Sequence, residues 1–181
     1  MNDGKARELI MEAAALLVQE GQAEQLTLAH VAEAAHMAEA DVSRQFPTMD
    51  DLVAAMAWRL SDTFFNAVAE ACGDDETPGA WMRAYVETGL ALDETGDRSR
   101  IARALLGSTA YRRHVLDAFR EREDDVQDFF YDSGVATDAV VVIRAAISGI
   151  FFGRMFGLDM LPAGTCEAVR ARLLSMTRAA A

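Results

Sequence analysis

The sequence predicts an all-α protein, and three observations carry that reading. Apolar residues recur at steps of three and four along most of the chain, the spacing that gathers them on one helix face. No segment alternates apolar and polar residues as a half-buried strand would. The three prolines, Pro47, Pro78 and Pro162, each stand where the helical period pauses, as expected of a residue without a backbone N–H. With 181 residues and 51% hydrophobic content, the chain can form one compact unit, or a small domain joined to a larger one, around a substantial core.

The first helix spans residues 6–20, sets Leu9, Ile10, Ala13, Leu16 and Leu17 on its apolar face, and is followed by Gly21. From Thr27 to Leu52 the chain reads TLAHVAEAAHMAEADVSRQFPTMDDL. A short apolar helix (Val31, Ala32, Ala35) is followed by a turn, a second short helix, and then Phe46-Pro47. A long helix over 49–72 carries Leu52, Met56, Leu60, Phe64 and Val68 at four-residue spacing, and Gly73-Asp74-Asp75-Glu76 breaks it. Thr77-Pro78 has the form of a cap and first-turn proline, predicting a helix to about Asp93 that buries Trp81, Tyr85, Val86, Leu90 and Leu92. A shorter helix begins at Asp97 and ends near Gly107, and another runs from Thr109 to Asp132, where Ser133-Gly134 stops it. The apolar stretch from Ala139 to Met160 is a further helix, with Asp138 near its start, and residues 161–165 separate it from a last helix ending near Arg178. Arg144, Arg154 and Asp159 interrupt that stretch, which therefore reads as a buried helix and not a membrane span.

The segment 27–52 resembles the N-terminal domain of the TetR family of regulators. Thr27 matches the threonine that opens the second helix, Val31-Ala32 and Ala34-Ala35 the small packing positions, Phe46-Pro47 the aromatic-proline step, and Leu52 a core leucine. The resemblance implies a three-helix helix-turn-helix domain over 1–48 and a C-terminal ligand-binding and dimerisation domain of about six helices over 49–181, consistent with the nine or so helices read above. It further implies that the second helix of the motif lies in the major groove of operator DNA. The positions that would face DNA are then Thr27, Glu39, Asp41, Ser43, Arg44 and Gln45. Departures from the family pattern cluster here. His36 stands for the usual turn glycine, Ala38 for a serine cap, Ala40 for a glycine and Asp41 for a threonine. Ser43 replaces a phosphate-reaching tyrosine and Met49 a phosphate-reaching lysine.

Charge points the same way. The chain has 17 basic and 29 acidic residues, a formal charge of −12. Residues 1–52 hold three bases, Lys5, Arg7 and Arg44, against ten acids. Affinity for duplex DNA comes largely from neutralising phosphates, so a segment of this sign predicts weak binding with a shallow salt dependence.

In the family the last two helices pair with their copies as a four-helix bundle. Here that implies a homodimer through Ile147, Ile150, Phe151, Leu173 and Leu174, with Ser148-Gly149 and Gly153 permitting close approach. The helix near Ile150 also has apolar residues off its main stripe, namely Val141, Val142 and Phe152, and needs cover on more than one side. The family's C-terminal domain commonly encloses a small molecule. Phe64, Tyr85, Phe119, Phe151 and Met155 are the candidates for lining a pocket for an apolar ligand, although such residues build any helical core. Arg144 suits either an acidic ligand or an acid on a neighbouring helix.

No catalytic reading emerges. His30, His36 and His114 have no cysteine or carboxylate at ligand spacing, and neither a phosphate loop nor a nucleophile motif occurs, so no metal, cofactor or reaction is expected. Cys72 and Cys166 are isolated thiols and no secretory signal is visible, which places the protein in the cytoplasm, away from any membrane. Two functions stay open: a ligand-responsive dimeric regulator that binds its operator weakly, and an interaction module that binds another regulatory protein as antagonist, coactivator or adaptor.

Overall fold

The computed structural model describes residues 3–91, 97–158, 161, 162 and 164–178. Among the described residues there are ten α-helices and no strand. They are α1 (Asp3–Gln19), α2 (Leu28–Ala34), α3 (Glu39–Gln45), α4 (Met49–Cys72), α5 (Ala80–Leu90), α6 (Asp97–Gly107), α7 (Arg112–Asp125), α8 (Gln127–Tyr131), α9 (Thr137–Met155) and α10 (Cys166–Met176), with a single 3-10 turn at Ala23–Gln25. Packing sorts the chain into two compact units, one of Met1–Ser61 with Thr95–Arg122, the other of Asp62–Glu94 with Glu123–Ala181.

In the first unit α1 packs against α2, α3 and α6. Its buried face is Ala6, Ile10, Ala13, Ala14 and Val18, while Leu9 and Leu16 are exposed, Leu16 by 59%. The expected leucine face is thus rotated. Alanines at this contact let three helices approach one helix closely, and the larger leucines are left on the outer side. Val31, Val42, Phe46, Leu52, Val53, Leu105 and Val115 complete the core. The Tyr111 hydroxyl donates to the Leu26 carbonyl at 3.1 Å, and the Thr109 amide to Glu24 Oε1 at 3.0 Å, tying the α6–α7 loop to the segment before α2.

In the second unit α5 packs against α8, α9 and α10 around Phe65, Val68, Met82, Tyr85, Phe130, Ile143, Ile147 and Leu173. Two contacts depend on the absence of a side chain. A Cβ at Gly89 would lie 2.5 Å from Ile147 Cγ2, and one at Gly79 would lie 2.0 Å from the Thr177 carbonyl oxygen. Gly79, at φ 82°, is also the residue that opens α5, so the helix starts later than Thr77-Pro78 predicts. Thr77 is engaged elsewhere: its amide and hydroxyl donate to Asp75 Oδ1 at 2.9 and 2.6 Å, and Arg83 donates to its Oγ1 at 2.7 Å. The Thr77 hydroxyl bond, reinforced by the amide and Arg83, holds the Asp75 carboxyl below its ordinary value. Trp81 and Leu90 are only half-buried, and Leu92 lies outside the described residues.

The segment expected as one helix over 109–132 is two, α7 and α8, joined at Val126. Residues to Arg122 pack with the first unit and those from Glu123 with the second, so Val126 and Phe130 take their burial from a different core than Val115 and Ala118. No described helix is long and apolar enough to cross a membrane.

Candidate functional site

The α2–α3 pair forms a compact helix-turn-helix. Thr27 is extended, at φ −134° and ψ 158°, and its Oγ1 accepts from the His30 amide at 3.2 Å, which is the cap its sequence position implies. At the other end of α2, His36 adopts φ 53°. Its amide donates to the Glu33 carbonyl at 3.1 Å and that of Met37 to the Ala32 carbonyl at 2.9 Å, the paired bonds of a Schellman turn. The turn therefore keeps the geometry for which glycine is the usual residue, with histidine bearing the strain.

α3 starts at Ala38 without a side-chain cap and ends at Phe46, which is buried. Arg7 of α1 holds that end: its Nη1 donates to the Gln45 carbonyl at 2.7 Å while the guanidinium lies 4.1 Å from the centre of the Phe46 ring. Gln45 Nε2 in turn donates to Asp3 Oδ1 at 3.2 Å. Glu39, Ala40 and Arg44 are exposed on α3, while Asp41, Ser43 and Gln45 are half-buried. Arg44 pairs with Asp41 at 2.8 Å, with side chains 65% and 45% exposed, so the pair adds no net charge to the helix. The acids at the head of α4 serve the fold. Thr48 and Asp51 form a reciprocal cap, with Asp51 Oδ2 accepting from the Thr48 amide at 3.0 Å and the Asp51 amide donating to Thr48 Oγ1 at 3.1 Å. Asp50 faces His114 Nε2 at 3.3 Å. The Thr48-x-x-Asp51 signature was available in the sequence and supplies the cap for α4, which starts at Met49 as expected.

Among the residues expected to line a pocket, Phe64 and Tyr85 meet edge to face at 5.6 Å in the second unit, and Phe151 contacts Phe152 at 5.3 Å. Met155 is buried, and Phe119 belongs to the first unit. Burial pushes the Tyr85 hydroxyl well above its ordinary pKa, with a hydrogen bond to Ser148 acting in the opposite direction. Arg144 is paired with Glu123 and stacks over Phe130 at 4.4 Å, so an acid from the neighbouring helix is what it meets. Of the residues expected at a dimer contact, Ile147, Ile150 and Leu173 are buried within the second unit, and Phe151 and Leu174 are half-buried. The opposite face of α9 carries Val141 and Val142, both 50% exposed, together with Ala145, Phe152 and Phe156 at helical spacing. Gly149, on the same face, opens onto free space.

An N-terminal three-helix unit with this capped turn, followed by a larger helical part, defines a helix-turn-helix regulator. The family model described as bacterial regulatory proteins, tetR family, matches residues 10–56, and that described as tetracyclin repressor-like, C-terminal domain, matches residues 79–178. The chain belongs to the TetR family of transcriptional regulators. Among solved structures it is similar to a TetR-family transcriptional regulator from Rhodococcus sp., at 16% identity and TM-score 0.70, covering 98% of this chain and all of that one. It is also similar to the multidrug binding protein EbrR complexed with imidazole, at 21% identity and TM-score 0.69 over 97% and 96% of the two chains. The same protein complexed with malachite green matches at 21% and TM-score 0.66 over 95% and 98%. At these identities the likeness concerns the fold. No curated protein is significantly similar in sequence.

Proposed function

We propose that this chain is a cytoplasmic, effector-responsive dimeric regulator, with a helix-turn-helix domain over 1–48 and a sensing and dimerisation domain over 49–181, that contacts operator DNA weakly. The observation that carries the weak contact is the Arg44–Asp41 pair. An exposed pair is worth only about 0–1 kcal/mol and DNA could open it, but Asp41 would then stay at the phosphate surface beside Glu39. Of the three bases in residues 1–52, Arg7 is bonded at the end of α3 and Arg44 is paired with Asp41. Dimerisation through α9 is supported by its exposed apolar face and by the family. Effector response is supported by the aromatic content of the second unit and by the similarity to EbrR, a multidrug binding protein.

The test is a mobility shift on the DNA upstream of the gene, at low and physiological salt. Each phosphate engaged contributes about −0.9 to the slope of log affinity against log salt. Weak binding with a shallow slope is expected, and Asp41→Thr, Ser43→Tyr and Met49→Lys together should tighten and steepen it. Nanomolar wild-type binding with a steep slope would sink the reading. The same occupied arginines favour a second reading, a protein-interaction module that has given up DNA. Failure of the triple variant to bind any upstream fragment, with its fold intact, would select it.

A further inference from the structure

The faces of α3 divide by exposure. Val42 is fully buried, while Ala40 and Arg44, two residues to either side of it, share the opposite face and are both exposed. Ala40 projects only a methyl, so the middle of that face can come close to a partner, and Arg44 is the long side chain beside it. Its guanidinium is met by Asp41: Nη1 donates to Oδ1 at 2.8 Å. Nε and Nη2 have no partner among the described residues. An arginine held at one nitrogen by a carboxylate keeps two parallel N–H groups on its Nε–Nη2 edge. The backbone under them is held as well, since Arg7 bonds the Gln45 carbonyl and lies over the Phe46 ring at the end of α3.

We propose that Arg44 reads guanine, its Nε–Nη2 edge donating to O6 and N7 in the major groove, and that Asp41 is the residue that positions it. Two neighbouring acceptors on one base edge are what this fork fits, and guanine presents them. Adenine has an amino group where guanine has O6, so it would set one N–H against another. The pair with Asp41 stays closed in this arrangement, and a side chain that adds no net charge still selects a base. Holding the guanidinium before DNA arrives also reduces the ordering that binding costs. Contacts that grip the backbone and contacts that read sequence are thereby separated: the first are few, the second is directed. This inference rests on the operator-binding reading and names the base that α3 takes.

The full chain is used to select duplexes from a randomised pool at low salt. Affinity is then measured on a selected duplex and on a copy whose shared G·C pair is changed to A·T. Selected half-sites should share a guanine, and the change should weaken binding roughly tenfold or more, the discrimination one bidentate contact supplies. Arg44→Lys keeps the charge and loses the fork, so it should bind both duplexes alike with an unchanged salt slope. Asp41→Ala removes an acid from the DNA-facing surface, so it should bind both duplexes more tightly while the preference collapses. A carboxylate that merely repelled DNA would give the tighter binding with the preference intact, and that result would overturn the positioning role. Unchanged circular dichroism verifies each fold, and either variant decides alone if the other does not fold. Retained duplexes without a shared guanine, or a preference that survives Arg44→Lys, would remove this inference and leave the weak operator contact. Retention of no duplex at any salt would remove both.

Discussion

Arg7 and Phe46 are joined face to cation, the guanidinium 4.1 Å above the ring, although they lie at opposite ends of the helix-turn-helix unit. The same guanidinium satisfies the last turn of α3 through the Gln45 carbonyl. The position of α3 is thus fixed from α1 at the end away from its start, where no side-chain cap exists. Arg7→Met keeps much of the apolar stem but loses the hydrogen bond and the charge. We expect a loss of about 1–2 kcal/mol in urea unfolding, from a charge-assisted bond and a cation–π contact together. A loss below about 0.3 kcal/mol would show that the clamp is incidental.

His36 should be improved by glycine. A non-glycine residue in the left-handed region costs about 1–2 kcal/mol, part of which glycine returns as unfolded-chain entropy. His36→Gly is expected to raise stability by roughly 0.5–1 kcal/mol with an unchanged helical circular dichroism spectrum. A destabilised variant would mean that the imidazole makes a contact that outweighs its backbone strain.

Gly79 should tolerate nothing larger. Alanine there meets the Thr177 carbonyl oxygen, a backbone atom that cannot turn aside, at a φ of 82° that side chains disfavour. Gly79→Ala is expected to cost about 3 kcal/mol or more, summing left-handed strain and overpacking. Melting within a few degrees of wild type would contradict this.

The two faces of α9 should respond oppositely to charge. Val142→Glu places a carboxylate on the exposed face and should yield a folded monomer by light scattering. Ile150→Glu buries an unpaired charge within the second unit and should unfold it. A wild-type monomer at micromolar concentration, or a dimer that survives Val142→Glu together with Phe152→Glu, would rule out this face as the contact.

Much of this was legible because the chemistry is local. Thr27 declared a cap by its type and place, the four-residue run from Leu52 to Val68 declared a long helix, and Gly107 marked the end of α6. What was not legible depends on partners distant in sequence. The leucines of α1 outrank its alanines on any hydrophobicity scale, yet close packing against three helices chose the alanines. Val126 carries no sign of a break, since neither glycine nor proline is there and the periodicity continues across it. Thr77-Pro78 fits a helix start, but Thr77 is bonded to Asp75 and Arg83, and the left-handed Gly79 opens α5 instead. Within α9 the period alone could not say whether Ile147 and Ile150 or Val142 and Phe152 faced inward. At α3 the acids were plain, but that Arg44 lies beside Asp41 and Arg7 against Phe46 required the fold.

The 2.5 Å that separates Ile147 Cγ2 from the place of a Cβ on Gly89 makes these two positions a single heritable choice. A larger residue at 89 is admissible only if 147 loses its branch or the helix crossing widens, and either change alone would be selected against. Across descendants of this chain the two sites should therefore drift together, a methyl gained at one answered by a methyl lost at the other.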